Sequence, residues 1–294
     1  EIYTLSLHDA LPISCRLAAR HVKVVLSGEG GDEMLGGYHM DGAMRRFSQL
    51  RFLQRIAPVI PRQFLENLAQ TVGCEDWADC FRRAFIPLPE RNAHVLPSMT
   101  SRFTEEQKRK LCAFSPEGLR PSPSVLRDHF LAARSTGPLT QILYAWSKDW
   151  MAQHLLMQAD RMSMCHSIEL RVPLLDLKMA DFLFQVPDSI KVRKVHGKYQ
   201  TKYLLRQYLK GKVPQQVLTR PKSGFQVPNR RFVTRDLNQD IRRALLNPKS
   251  LVLEMMNRAE IVHWIDAMQE GSSNMAFQKV WILFILEKWM QKWL

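Results

Sequence analysis

The run His21-Val22-Lys23-Val24-Val25-Leu26 passes directly into Ser27-Gly28-Glu29-Gly30-Gly31-Asp32-Glu33, and this junction constrains the fold more than any other stretch. A short β-branched run that stops at glycines reads as a buried strand ending in a loop, the strand-to-helix step of a parallel sheet. Gly28, Gly30 and Gly31 allow a sharp backbone turn and bring N–H groups close to an anion. Carboxylates in such a loop repel a polyphosphate unless a cation lies between them, so Asp32 or Glu33 beside phosphate implies Mg²⁺. Glu29, flanked by glycines, can reach into a site as a proton acceptor. A solvent-facing turn rich in Gly and Asp is the plainer alternative. The loop has neither the G-x-x-x-x-G-K-S/T nor the G-x-G-x-x-G spacing.

The 294 residues, 46% hydrophobic and 24% charged, exclude a disordered chain, a collagen and a pure coiled coil. Five cysteines (Cys15, Cys74, Cys80, Cys112, Cys165) form no C-x-x-C pair, which argues against a disulfide scaffold or zinc ribbon and for a reducing cytoplasm. The most apolar run, Val280 to Leu286, falls far short of the roughly 20 residues of a spanning helix. It sits in Asn274 to Leu294, read as a C-terminal helix packed by its Trp, Ile, Phe and Leu residues. Residues 1–14, EIYTLSLHDALPIS, lack a signal-peptide pattern and resemble translated sequencing adapter. They are set aside from the fold reading, and the chain would then begin inside an open reading frame.

Farther along, Met34 to Phe47 is expected to be partly helical despite Gly36 and Gly37. From about Arg51 to Cys112, short helical patterns alternate with proline stops, and Ser115 to Pro123 reads as a surface loop. Thr140 to Met164 is the longest helical pattern. Ile142, Leu143, Trp146, Trp150, His154, Met157 and Arg161 recur at spacings of three and four, predicting one largely apolar side. Ile168 to Val172 reads as extended and is stopped by Pro173. In it, Glu169 and Arg171 share one face while Ile168, Leu170 and Val172 turn to the core. Asp176 is the expected N-cap of a helix over Leu177 to Gln185, closed by Pro187. One strand followed by many helices predicts an α/β sheet with most strands elsewhere, then a helical layer.

Two strings carry a resemblance. LSGEGGDEMLGGY, residues 26–38, resembles the second signature of the glutamine-hydrolysing asparagine synthetases, LSGEGxDExFGGY, with Leu35 in place of the usual aromatic. DRMSMCHSIELRVPLLD, residues 160–176, resembles that family's next signature, with Cys165 where alanine is usual. A third piece, Arg220-Pro221-Lys222-Ser223-Gly224-Phe225, is similar to its R-x-K-x-G-F loop. The resemblance implies ATP and Mg²⁺ as cofactors and aspartate as the carboxylate substrate. It implies a pyrophosphate contact for Ser27, Gly28, Gly30, Gly31 and Asp32, with Asp32 also meeting the metal. Glu29 would lie near the reacting carboxyl and incoming amine, and Lys222 would stabilise charge during adenylation. Glu169 and Arg171 would bind the amino acid, although a plain internal ion pair suits them as well. The expected fold is the C-terminal, mostly helical part of an adenine-nucleotide alpha-hydrolase-like (ATP pyrophosphatase) domain, α/β in class, with one residual parallel-sheet strand, over residues 15–294.

The family's glutaminase domain, with its cysteine nucleophile, and its S-G-G-x-D-S pyrophosphate loop have no counterpart in this sequence. The chain by itself is therefore expected to show no ATP turnover and poor stability, its strand lacking sheet partners. Expected partners are glutamine-derived ammonia, the glutaminase domain and a second copy in a homo-oligomer, with no membrane. The net charge of +14 invites a nucleic-acid reading, since Ser189 to Arg235 holds thirteen Lys+Arg and no acid. No recognisable nucleic-acid motif appears there, and an enzyme releasing pyrophosphate also needs cations. Lys198 and Lys202 fit a lysine that precedes a helix in the family; no role is assigned to either. A relative that amidates or cyclises another carboxylate remains the close alternative.

Overall fold

The computed structural model describes residues 7–38, 40–45, 48, 102–103, 105–114, 122–220, 237–270 and 276–294. The chain divides into two compact units, Glu1–Leu96 with Pro123–Gly224, and Pro97–Ser122 with Phe225–Leu294. No helix among the described residues is long and apolar enough to cross a membrane. Expectations for Arg51 to about residue 101, for 115–121 and for Lys222 lie outside the described residues.

In the first unit a helix, Leu7–Ala18, leads into strand β1, Val24–Leu26. β1 pairs in parallel with β2, Glu169–Arg171, in the register Val24↔Glu169, Val25↔Leu170, Leu26↔Arg171. The expected strand is thus present and parallel, and it has a partner. It is not buried, however: Leu26 is 74% exposed and Val22 45%. With β2 as its one partner among the described residues, β1 leaves its alternate side chains uncovered. A hairpin that the sequence reading did not foresee joins β3, Arg193–Val195, to β4, Lys198–Gln200. Its two-residue turn, His196-Gly197, has positive φ at both positions (48° and 80°), matching the right-handed twist of the strands.

The long helical pattern is one continuous rod in three pieces: α-helix Pro138–Trp146, π-helix Ser147–Leu156 and α-helix Met157–Met164. The first piece buries Leu139, Ile142, Leu143 and Trp146, as the three-and-four spacing predicts. Beyond it the expected stripe turns outward, with Trp150 43% and Met157 41% exposed. The i→i+5 bonds of a π-helix rotate successive side chains off the α-helical stripe, so the apolar face does not continue.

Asp188 closes the N-terminus of helix Pro138–Trp146 from a distant part of the chain. Its carboxylate accepts from the Leu139 N–H at 2.9 Å, the Thr140 N–H at 3.0 Å and the Thr140 hydroxyl at 2.6 Å. Lys191 is fully buried and donates to Thr140 Oγ1 at 2.8 Å. Burial pushes its ammonium down to about 8 against the pull of Asp188. Local capping is simpler at Asp176, which accepts from the Lys178 and Met179 N–H groups at the start of Leu177–Gln185, as expected.

The second unit is helical: Glu105–Leu111, Asn238–Leu246, Leu251–Met255, Arg258–Glu270 and Ala276–Trp293. Ile241, Leu245, Val252, Ile261, Ile265, Val280 and Leu283 form its dry centre. Each contributes about 1.5–3 kcal/mol by burial. The C-terminal helix packs as the sequence predicts, but its inner face also carries Glu287, fully buried. That carboxylate accepts from Ser250 Oγ (2.9 Å), the Val252 N–H (2.8 Å) and Gln291 Nε2 (2.6 Å), capping helix Leu251–Met255.

Removing the Glu287 carboxylate would orphan buried donors and leave a cavity. Glu287→Ala is expected to cost about 2–4 kcal/mol in urea denaturation; a loss below about 0.5 kcal/mol would contradict the capping role. For Lys191 the folded chain releases its proton at about 8 and the unfolded chain near 10.5, so stability rises as pH climbs between those values. Lys191→Met is expected to raise the melting temperature at pH 7 and to remove about 1–3 kcal/mol of that pH-dependent rise. Melts from pH 7 to 10.5 that overlay the parent's would defeat this account.

Candidate active site

The β1–β2 pairing brings the glycine loop beside the second matched string. The Ser27 N–H, just past the end of β1, donates to the Arg171 carbonyl at 2.8 Å, and the Glu169 N–H donates to the Lys23 carbonyl at 2.9 Å. After Ser27 the chain turns through Gly30 at φ 85° and enters a short helix, Gly31–Leu35. Gly30 is required twice. Its φ disfavours any L side chain, and a Cβ there would lie 2.2 Å from Leu175 Cδ2. A Cβ on Gly31 would meet Leu174 Cδ1 at 3.1 Å. Leu174 and Leu175 belong to the 3₁₀ turn Pro173–Leu175 that follows β2, so the second string roofs the loop of the first. Gly28 faces open space. The same contact continues inward, where Met34 and Leu35 pack with Met151 and Leu183.

Three acids of the loop have three different surroundings. Glu29 is half-buried, its Oε2 is buried with no hydrogen-bond partner, and its backbone N–H reaches Ser27 Oγ at 3.3 Å. Burial, with Glu33 nearby, pushes the Glu29 carboxyl above the usual carboxylate range. Asp32 pairs with Lys202, Nζ to Oδ1 2.9 Å. A Cβ on Gly37 would fall 1.6 Å from Asp32 Oδ1, so Gly37 leaves the space through which that side chain passes. Glu33 is buried and accepts from the Tyr38 hydroxyl at 2.5 Å. Tyr38 stands edge-on to Trp146, 5.2 Å between ring centres, and its own ionisation is pushed up, first by burial and then by the Glu33 bond.

On β2, Glu169 and Arg171 share a face, as expected, and pair with each other: Arg171 Nε to Glu169 Oε1 is 2.8 Å, with both side chains about 60% exposed. Ile168 is fully buried, and Leu170 and Val172 are half-buried. Ser27, Gly28, Glu29 and Gly30 thus stand on the loop that leaves β1 beside β2, and Gly31 and Asp32 open the helix that follows it. Lys202, given no role by sequence reasoning, joins them through the Asp32 pair. Its position before a helix was the available signal, but nothing local aims its side chain. Among the described residues no group of three or more His, Cys, Asp or Glu side chains gathers to hold a metal. Asp32, held by the Lys202 ammonium at 2.9 Å, still suits Mg²⁺, which commonly takes one or two protein carboxylates and completes its shell with phosphate and water. The basic stretch is partly consumed inside the fold: Lys191 is buried, Arg206 bonds the Thr201 and Leu218 carbonyls, and Lys212 lies 3.4 Å over the Tyr208 ring.

The asparagine synthase family profile matches residues 7–291, and the chain belongs to that family. Its domain has the adenine-nucleotide alpha-hydrolase-like fold, here represented by many helices and a two-stranded parallel sheet. The chain is similar to asparagine synthetase (glutamine-hydrolyzing) 1 of Bacillus subtilis, 33% identical over 228 residues, covering 76% of this chain and 34% of the relative. A Mycobacterium tuberculosis protein provisionally named for the same activity is 29% identical over 287 residues, covering 93% of this chain and 40% of the relative. The chain therefore spans between a third and two fifths of the length of these relatives. No solved structure matches it.

The loop geometry separates its glycines. Gly30→Ala is expected to destabilise the first unit by about 1–3 kcal/mol, through its positive φ and the Leu175 overlap, whereas Gly28→Ala is expected to change stability by less than about 0.5 kcal/mol. Equal melting temperatures for the two variants would contradict the turn described.

Proposed function

We propose that this member of the asparagine synthase family forms the aspartate-facing part of an ATP-dependent amidation site, the longer protein converting aspartate to asparagine. In this reading an oxygen of the side-chain carboxylate bonds to the α-phosphorus of ATP and pyrophosphate leaves, giving β-aspartyl-AMP. Ammonia derived from glutamine then bonds to the activated carbonyl carbon and AMP leaves with the C–O bonding pair. A carboxylate is a poor electrophile, and adenylation supplies the leaving group. The observation that carries the reading is the parallel register of β1 with β2, which sets the carboxylate-bearing glycine loop beside the Glu169–Arg171 pair.

Glu29 suits the nitrogen side of the reaction. Its raised pKa and unpartnered oxygen make it a better proton acceptor than an ordinary surface glutamate, and it would take the proton that the incoming amine loses. Ser27, Gly28, Gly30 and Gly31 would present the loop backbone to pyrophosphate, and Asp32 would carry the Mg²⁺ that neutralises its charge. Glu169 and Arg171 would exchange their mutual pair for the ammonium and carboxylate of the amino acid. Lys222, in the Arg220–Phe225 string, would meet the phosphates as a point charge. A glutaminase domain would supply ammonia.

The test is aspartate-dependent formation of AMP and pyrophosphate, measured with the chain alone and with the upstream reading frame restored. None is expected from the chain alone. In the restored protein, Lys222→Ala is expected to abolish ATP–pyrophosphate exchange, and Glu29→Gln to lower asparagine formation by about 10²-fold or more. Parental exchange rates in Lys222→Ala would remove Lys222 from the site. AMP formation driven by another carboxylate and not by aspartate would move the assignment to the amidating or cyclising relatives.

A further inference from the structure

We propose that Lys202 is the positioning residue for Asp32, an internal cation that fixes the carboxylate before a divalent ion arrives and is then released to the phosphate anion. The inference rests on Asp32 as the metal-facing residue of the proposed function and adds a residue to that site. Lys202 lies in the left-handed region, φ 52° and ψ 36°, at the N-cap of the helix Tyr203–Tyr208, with no side-chain cap bond. Such a backbone costs a non-glycine residue roughly 1 kcal/mol, and glycine or asparagine would be the ordinary occupant. The strain persists because the surroundings fix it. The Arg206 N–H donates to the Lys202 carbonyl at 3.0 Å, while the Arg206 guanidinium bonds the Thr201 and Leu218 carbonyls on either side.

From this position the side chain crosses to the glycine loop. Nζ sits 2.9 Å from Asp32 Oδ1 and would be 3.7 Å from a Cβ on Gly31. Gly37 leaves room at the same oxygen, where a Cβ would fall 1.6 Å from Asp32 Oδ1, so this atom meets a space left by one residue and a charge supplied by another. The pair is mostly shielded, its side chains 24% and 17% exposed, so solvent screens it less than a surface ion pair. A divalent cation at Asp32 must displace this ammonium. Once displaced, the ammonium remains beside the loop backbone, where an anion bound to the same cation would lie. Lys202 therefore opposes the bare cation and favours the cation–anion complex.

The experiment titrates Mn²⁺ into the full chain, followed by electron paramagnetic resonance, with and without inorganic pyrophosphate. Lys202→Met is expected to bind bare Mn²⁺ about tenfold more tightly and the Mn²⁺–pyrophosphate complex about tenfold more weakly. Lys202→Arg is expected to restore the parent's order. Lys202→Gly, which relieves the positive φ while removing the charge, is expected to follow Lys202→Met and guards against a folding artefact. Asp32→Asn is expected to lose Mn²⁺ binding. If Asp32→Asn abolishes binding while Lys202→Met and Lys202→Gly match the parent in both titrations, the Lys202 proposal falls and the metal reading stands. If Asp32→Asn binds Mn²⁺ like the parent, the metal reading falls and the proposal with it. A parallel loss of both affinities on removing the Lys202 charge would show a merely structural role and also overturn the proposal.

Discussion

The parallel pairing of β1 with β2 is the constraint on which the candidate site depends. Two strands of three residues are not stable alone. Here they are clamped at both ends of the pairing. Ile168 is buried just before β2, and Leu174 and Leu175 cover the glycine loop just after it. A register slip of one residue would turn Glu169 and Arg171 inward and bring Leu170 to the exposed side, burying a charge pair without compensation. The same slip would draw Leu175 off Gly30. The register is therefore specified by packing against glycine as much as by the ladder itself.

With the register fixed, the loop can carry three acids within five positions without becoming a simple cluster of like charge. Tyr38 donates to Glu33, so this buried acid serves structure. Asp32 is neutralised by Lys202 and stays near the surface. Glu29 receives neither, and its carboxyl rises in pKa through burial first and Glu33 second. Separate environments push chemically similar groups toward separate tasks. The arrangement explains why Gly36-Gly37-Tyr38 follows the loop so closely. Gly37 makes room for the Asp32 side chain, and Tyr38 returns to Glu33.

Features encoded locally were legible in the sequence. The Asp176 cap, the extended piece ended by Pro173, the strand running into glycines and the inward Ile168 all follow from neighbours within a few residues. What the sequence did not disclose depends on distant partners or on backbone period. The Asp188 cap serves a helix that begins fifty residues earlier in the numbering, at Pro138. The π-helix keeps an α-like spacing of large residues while rotating Trp150 and Met157 outward. The hairpin turn at His196-Gly197 was visible in principle, since a residue followed by glycine between two short runs, Arg193–Val195 and Lys198–Gln200, suits a two-residue turn. Lys202 could not be placed, because the chain that delivers it to Asp32 folds back through that hairpin and a strained residue.

The two departures from the family strings sit where the fold tolerates them, for different reasons. Leu35, in place of an aromatic, is 3% exposed and shares its cluster with Met34, Met151 and Leu183, two of them methionines that adapt their shape to a smaller neighbour. Cys165, in place of alanine, is exposed at the end of helix Met157–Met164, and its thiol donates to the Met162 carbonyl at 3.1 Å. The sulfur there is exposed to solvent and bonds one backbone oxygen. By contrast, Gly30 and Gly37 retain the family residue at points where a single Cβ would strike Leu175 or Asp32. At Gly30 and Gly37 agreement with the family strings coincides with a steric requirement of the loop, whereas the departures at Leu35 and Cys165 fall where a side chain fills adaptable or open space.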